Sequence, residues 1–154
     1  GSVYVAQIAI GADMNQTIKA MREAESFPGP SLLIAYAPCI NHGIKAGMSK
    51  SIAETKKAVD CGYWQLYRYD PRVAAQGGSP FILDSKEPSM PYREFLEGEV
   101  RYTQIYKTSP SNAGKLFEKS QRHAKQRFEA YAQMAARTCH PPGGGTVSSP
   151  EQRL

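Results

Sequence analysis

A chain of 154 residues, 41% of them hydrophobic, has enough apolar material for one ordinary domain and is too mixed in composition for a disordered or fibrous polymer. Its longest apolar run, residues 31–37, is far below the ~20 residues that cross a bilayer, and no basic segment followed by an apolar stretch opens the chain, so a soluble protein with no membrane partner is expected. The formal net charge of +5 is unevenly placed, because residues 1–110 hold 12 Lys/Arg against 11 Asp/Glu and residues 111–154 hold 7 against 3, which assigns the excess to the C-terminal end rather than to a basic face of the core.

In chain order, Val3 to Ile10 (VYVAQIAI) is β-branched and aromatic enough for a strand buried on both faces, ended by Gly11 and Ala12. Asp13 and Gln16 have the spacing of a capping box, and Ile18, Met21 and Ala24 then recur along one face of a helix that FPGP at 27–30 stops. Ser31 to Ala37 (SLLIAYA) predicts a second short strand, so the order strand, helix, strand reads as a βαβ unit with parallel strands and a right-handed crossover. Cys39 then falls just past the C-terminal end of a strand, where open α/β sheets hold their ligands.

Ser49 to Asp60 predicts a helix with Ile52, Ala53, Lys56 and Val59 along one side and Gly62 just beyond its end. YWQLYRYD at 63–70 and FILD at 81–84 predict two more strands, joined by the turn DPRVAAQGGSP. Ser109 and Pro110 supply the N-cap and first position of a long helix to about Ala136, with Leu116, Phe117, His123, Phe128, Tyr131 and Met134 spread along it. Past Thr138, PPGGGTVSSPEQ predicts a flexible tail. The expected fold is α/β: a mainly parallel sheet of roughly four short strands, with flanking helices and a long C-terminal helix.

The three cysteines, Cys39, Cys61 and Cys139, include no CxxC pair, which disfavours a secreted disulfide framework and makes the cytoplasm the expected compartment. Residue chemistry alone leaves Cys39 open between a small apolar filler, a nucleophile and a metal ligand. Pro38 brings no amide proton, and Gly43 and Gly47 permit unusual dihedrals, so the loop can aim several N–H groups at one acceptor. His42 is the histidine near enough to act as a base, although three residues of irregular loop neither ensure nor exclude contact. A zinc site lacks ligand spacing, since His42, His123 and His140 are scattered. An iron–sulfur cluster, by contrast, accepts thiolates from distant parts of a polypeptide.

Cys61, at a helix end, reads as packing, and Cys139 as a thiol in the tail. No phosphate-cradling glycine loop is present. The strand YWQLYRY suggests a base-stacking platform for RNA, against which stands the expectation that helices cover the sheet. A non-catalytic α/β interaction module, binding nucleic acid through the basic C-terminal helix, is therefore the rival of an enzyme segment.

The blocks ESFPGPS, APCINHGI, GYWQLYRYDPR and PFILDSKEP, within a continuous stretch over residues 3–88, resemble the C-terminal thiamine-diphosphate domain of pyruvate:ferredoxin (flavodoxin) oxidoreductases; YREFLEGEVRYTQIYKTSP and the following helix resemble it more loosely. The resemblance implies a multidomain enzyme, homodimeric when complete, that oxidatively decarboxylates pyruvate with coenzyme A to acetyl-CoA and carbon dioxide. Its electrons pass through [4Fe-4S] clusters to ferredoxin or flavodoxin. A related 2-oxoacid is the alternative substrate.

The same resemblance implies that Cys39, in APCIN, is the last of four cysteine ligands of the cluster nearest the thiamine, with the backbone of residues 40–43 around the cluster's sulfurs. It also implies that residues 1–137 are the C-terminal part of the thiamine-diphosphate-binding domain, half of that fold, with 138–154 a tail that matches no family block. The Gly-Asp-Gly motif that holds thiamine diphosphate and magnesium is expected upstream of Val3. No catalytic or thiamine-binding residue is expected in this segment, which alone is expected to be inactive and, with faces that meet other domains laid bare, prone to self-association.

Overall fold

A computed structural model describes residues 2–137; the expected tail, with Cys139 and His140, lies outside the described residues. Strand β1 (Tyr4–Ile8) buries Tyr4, Ala6 and Ile8 on one face and half-buries Val5 and Gln7 on the other, the period-two pattern of a pleated strand. Helix α1 (Met14–Ser26) carries the chain back to β2 (Ser31–Ala35), which pairs parallel to β1 from Tyr4 opposite Ser31 to Ile8 opposite Ala35, as the βαβ reading expects.

The rest of the sheet corrects the expectation of mainly parallel pairing. The strand order is β2-β1-β3-β4, with β3 (Tyr67–Tyr69) antiparallel to β1 and β4 (Phe81–Leu83) antiparallel to β3, so the sheet is mixed. Residues 70–80 between β3 and β4 are too few for a parallel crossover, which needs a dozen or more. Within them the expected turn contains a short helix, α3 (Pro71–Ala75), started by an Asp-Pro pair: the Asp70 carboxylate accepts from the Arg72 amide at 3.0 Å.

At the start of α1 the Asp13 carboxylate accepts from the Gln16 amide at 2.9 Å, but the reciprocal half of the capping box is not made. The Gln16 side chain donates to Gln7 O of β1 and to Asp84 beyond β4, tying the helix to the sheet. Of the residues read along one face of α1, Ala24 packs against the core, but Gln16, Thr17 and Ala20 are the ones buried, while Ile18 and Met21 are 44% and 46% exposed. Small side chains let the helix approach Tyr4, Ala6 and Ile8 closely, and the larger apolar ones are left on the outside.

A second core gathers α2 (Ser51–Asp60), which follows a 3-10 turn at Met48–Lys50, helix α4 (Tyr92–Gly98) and helix α7 (Pro110–Ala136) around Phe95, Leu96, Tyr92 and Phe117. Two single-turn helices, α5 (Val100–Thr103) and α6 (Ile105–Thr108), connect α4 to α7. Gly62 ends α2 with φ +78°, and Pro110 opens α7, both as expected, although the Ser109 side chain makes no capping bond to the helix. Of the residues read along one side of α2, Ile52 is 64% exposed, and Glu54, Thr55 and Ala58 are the ones that face inward.

Candidate functional site

Beyond β2 the ladder runs one step further, the Tyr36 amide donating to Ile8 O at 3.1 Å, before Pro38 removes a donor and the chain turns away. The turn closes through the Gly43 amide to Cys39 O at 2.9 Å and requires φ +78° at Gly43, a conformation that any side chain would strain. Its far side is fastened to the junction of α4 and α5. Ile44 forms an antiparallel bridge with Glu99, the Lys45 amide donates to Gly98 O at 2.8 Å, and the Val100 amide donates to Gly43 O at 3.2 Å. The closed turn and this bridge fix where residues 39–42 stand.

The turn brings Cys39 and His42 together, which sequence spacing alone left open: Sγ lies 3.2 Å from Nδ1. The Cys39 thiol is free and half-buried, and its pKa is brought down to about 7, first by the His42 ring and then by the backbone amides of His42 and Asn41. An imidazole at 3.2 Å and a lowered pKa are the surroundings of a reactive thiol, not of a packed apolar filler. Ile40 beside it is 85% exposed, an apolar side chain presented outward at the mouth of the loop.

Under the loop lies a layer of buried polar groups that sequence reasoning missed. Glu99 is fully buried; its Oε1 accepts from the Tyr36 hydroxyl at 3.2 Å, and its Oε2 faces Arg101 Nε at 3.3 Å without hydrogen-bond alignment. Burial, and then the Glu99 charge, push the Tyr36 phenol well above its usual range. The Arg101 guanidinium lies 4.7 Å over the Tyr102 ring. Glu54, at the start of α2, has an Oε1 without a partner, and Gly98 is where it is because a Cβ there would fall inside the Glu54 carboxylate. Burial raises the Glu54 pKa against the lowering by Lys57, and the Glu99 and Glu94 charges raise it further. Nothing local in the sequence marks these residues, since the chain distance from Glu54 to Glu99 is closed only by the packing of α2 on α4.

No family model matches the chain. It is 55% identical over 135 residues to the pyruvate-flavodoxin oxidoreductase of Klebsiella pneumoniae, a match that covers 88% of this chain and 12% of the relative. With the pyruvate:ferredoxin oxidoreductase of Moorella thermoacetica the identity is 54% over 135 residues, 88% of this chain and 11% of the relative. The chain is homologous to one segment of these oxidoreductases. A more distant relative, the mitochondrial pyruvate dehydrogenase [NADP(+)] of Euglena gracilis, is 44% identical over 134 residues, 87% of this chain and 7% of the relative. The chain thus spans about an eighth or less of the length of the curated relatives it matches.

Within the chain the remaining candidates separate clearly. Cys61 is buried, its thiol donates to Ala58 O at 3.6 Å, and burial pushes its pKa up to about 11, which leaves it a packing residue. His123 is exposed on α7, far along the chain from the Cys39 loop. The aromatic strand is not a free stacking platform: Tyr63 packs 4.7 Å from Phe95, Tyr67 lies 5.0 Å from Phe81 and 5.2 Å from Tyr131, and Trp64 Nε1 donates to Ile8 O. An open groove of about 970 Å³ runs between α7 and the segment before α4, lined among others by Pro88, Met90 and Phe128, and no residue of the Cys39 loop faces it. Among the described residues no three His, Cys, Asp or Glu side chains group as metal ligands, and no helix is long and apolar enough to cross a membrane.

Proposed function

We propose that this chain is a segment of an enzyme that oxidatively decarboxylates pyruvate with coenzyme A to acetyl-CoA and carbon dioxide, and that Cys39 supplies one of four thiolates to a [4Fe-4S] cluster. The observation that carries the enzyme is the 53–55% identity, over 88% of the chain, to relatives named as pyruvate-flavodoxin or pyruvate:ferredoxin oxidoreductases. Ferredoxin or flavodoxin is the acceptor this reading favours over NADP(+), because the relatives at 53–55% identity are named for flavodoxin or ferredoxin and the one named for NADP(+) is 44% identical. Pyruvate is favoured over another 2-oxoacid because the names of all three relatives specify it. The remaining domains of the same enzyme, and a second copy of it in a homodimer, are the partners proposed, with the cytoplasm as the compartment.

The residues present fit the ligand role. A thiol brought down to about 7 gives up its proton to a metal at little cost, and the His42 ring at 3.2 Å is placed to offer the N–H···S bond that stabilises a cluster's sulfur. Among the described residues no further ligands group with Cys39, so the reading puts the other three ligands in other parts of the enzyme. In the intact molecule thiamine diphosphate supplies the decarboxylation chemistry and the iron–sulfur clusters supply a one-electron path. Residues 1–137 are read as the C-terminal part of the thiamine-diphosphate-binding domain, backing that pocket without touching the diphosphate or its magnesium, and 138–154 as a tail. The work of this segment is to hold one sulfur still: Gly43 makes the turn, and the bridge from Ile44 to Glu99 pins it.

Cys39→Ser in the complete enzyme is the test. Iron and acid-labile sulfide are expected to fall by one cluster per chain, with electron transfer to the acceptor lost. Unchanged cluster content and unchanged electron transfer would refute the assignment.

A further inference from the structure

We infer that His42 is a positioning residue for the Cys39 sulfur, its ring N–H a fixed hydrogen-bond donor that raises the reduction potential of the cluster Cys39 ligates. The inference rests on the reading of Cys39 as a cluster ligand. Nδ1 lies 3.2 Å from Sγ, and this is a side-chain contact across a closed turn, not a chance approach of two mobile groups. Pro38 sets the entry, the Gly43 amide closes on Cys39 O at 2.9 Å, and Gly43 at φ +78° carries residue 42 back over residue 39.

The chemistry decides which partner gives the proton. A thiolate bonded to iron has no hydrogen and can only accept, so the shared proton sits on Nδ1 and the ring stands as the tautomer with Nε2 free. Hydrogen bonds to a cluster's sulfurs draw electron density from them and favour the reduced, more negative state, which raises the potential. The backbone amides of Asn41 and His42, which also lower the Cys39 pKa, do not depend on which side chain those positions carry, proline excepted. The ring is the donor that depends on side-chain identity, and so the one through which this position tunes electron transfer.

The test uses the complete enzyme with His42→Phe, which keeps ring volume and removes the donor, and His42→Asn, whose side-chain amide places an N–H near where Nδ1 stood. Iron and sulfide content and the midpoint potential, followed by electron paramagnetic resonance during a redox titration, are the readouts. Both variants are expected to keep their clusters. His42→Phe should shift the equilibrium about tenfold toward the oxidised form, a potential ~59 mV more negative for a one-electron couple. His42→Asn should recover most of that shift. A full cluster complement with an unmoved potential in His42→Phe overturns the inference while leaving Cys39 as a ligand, whereas an unchanged cluster in Cys39→Ser overturns the reading beneath it. Loss of the cluster in His42→Phe alone supports the donor role, and loss in both variants overturns it in favour of a role in shaping the loop.

Discussion

Two clusters of buried charge sit in this fold, and they are built on opposite terms. Around Arg68 on β3 every charged group is paired: Asp84 takes two hydrogen bonds from the guanidinium, at 2.9 and 2.8 Å, Glu23 of α1 takes a third at 2.6 Å, and the Tyr4 hydroxyl donates to the other Glu23 oxygen at 2.9 Å. Under the Cys39 loop, Glu99 Oε2, Arg101 Nε and Glu54 Oε1 are all buried without a hydrogen-bond partner. An unsatisfied buried polar atom such as Glu54 Oε1 costs about 1–3 kcal/mol, and the Glu99–Arg101 ion pair at 3.3 Å offsets part of that cost at the other two. The fully hydrogen-bonded cluster locks α1 and β4 to β3, whereas the incompletely hydrogen-bonded one lies where the loop is fastened to Gly98 and Glu99. Incomplete satisfaction thus coincides with the segment proposed to meet the rest of the enzyme.

The largest effect should come from breaking the satisfied cluster. Arg68→Met removes the shared cation and leaves Glu23 and Asp84 facing each other in a half-buried space, which should cost about 3–5 kcal/mol of stability, read by chemical denaturation. A loss below about 1 kcal/mol would mean that water reaches these carboxylates and that the two clusters do not differ as described.

A smaller effect is expected at the unsatisfied layer. Gly98→Ala puts a methyl group into the Glu54 carboxylate and should cost about 1–3 kcal/mol. Adding Glu54→Ala opens the space the methyl needs and removes an unpartnered buried acid, so the double variant should be more stable than Gly98→Ala alone. That non-additivity is the signature to look for, since two independent losses would show that Gly98 and Glu54 do not meet.

How far these features could be read from the sequence depends on whether their cause is local. The βαβ unit, the Asp13 cap, the Pro110 helix start, Gly62 at φ +78° and the place of Cys39 at a strand end all follow from neighbours within a few residues. The direction of β3 and β4 depends on how α2 returns the chain to the sheet, which periodicity does not record. The inward face of α1 was misread because Ile18 and Met21 outrank Thr17 and Ala20 in hydrophobicity, whereas close helix-to-sheet packing selects small residues. Their outward placement suits the proposal that this chain is a segment of a larger enzyme. Glu54 and Glu99 were invisible for a related reason: only the tertiary fold makes them neighbours.

The smallest perturbation, a chemical label, separates the two described thiols and checks the loop geometry without any cofactor. In this chain alone, Cys39 has its pKa brought down to about 7 and Cys61 has its pushed up to about 11. The thiolate is the reactive form, and a lowered thiol pKa means that it is present above the folded value, so iodoacetamide should label Cys39 with a rate that rises to half its plateau near pH 7. Cys61 should stay unlabelled across the same range, both because it is buried and because it remains protonated. Peptide mass mapping reads each cysteine separately. His42→Phe should move the Cys39 profile to higher pH, since the ring is the largest of the influences that lower it. A profile centred at the ordinary thiol value in both forms would show that the 3.2 Å contact is not made in solution.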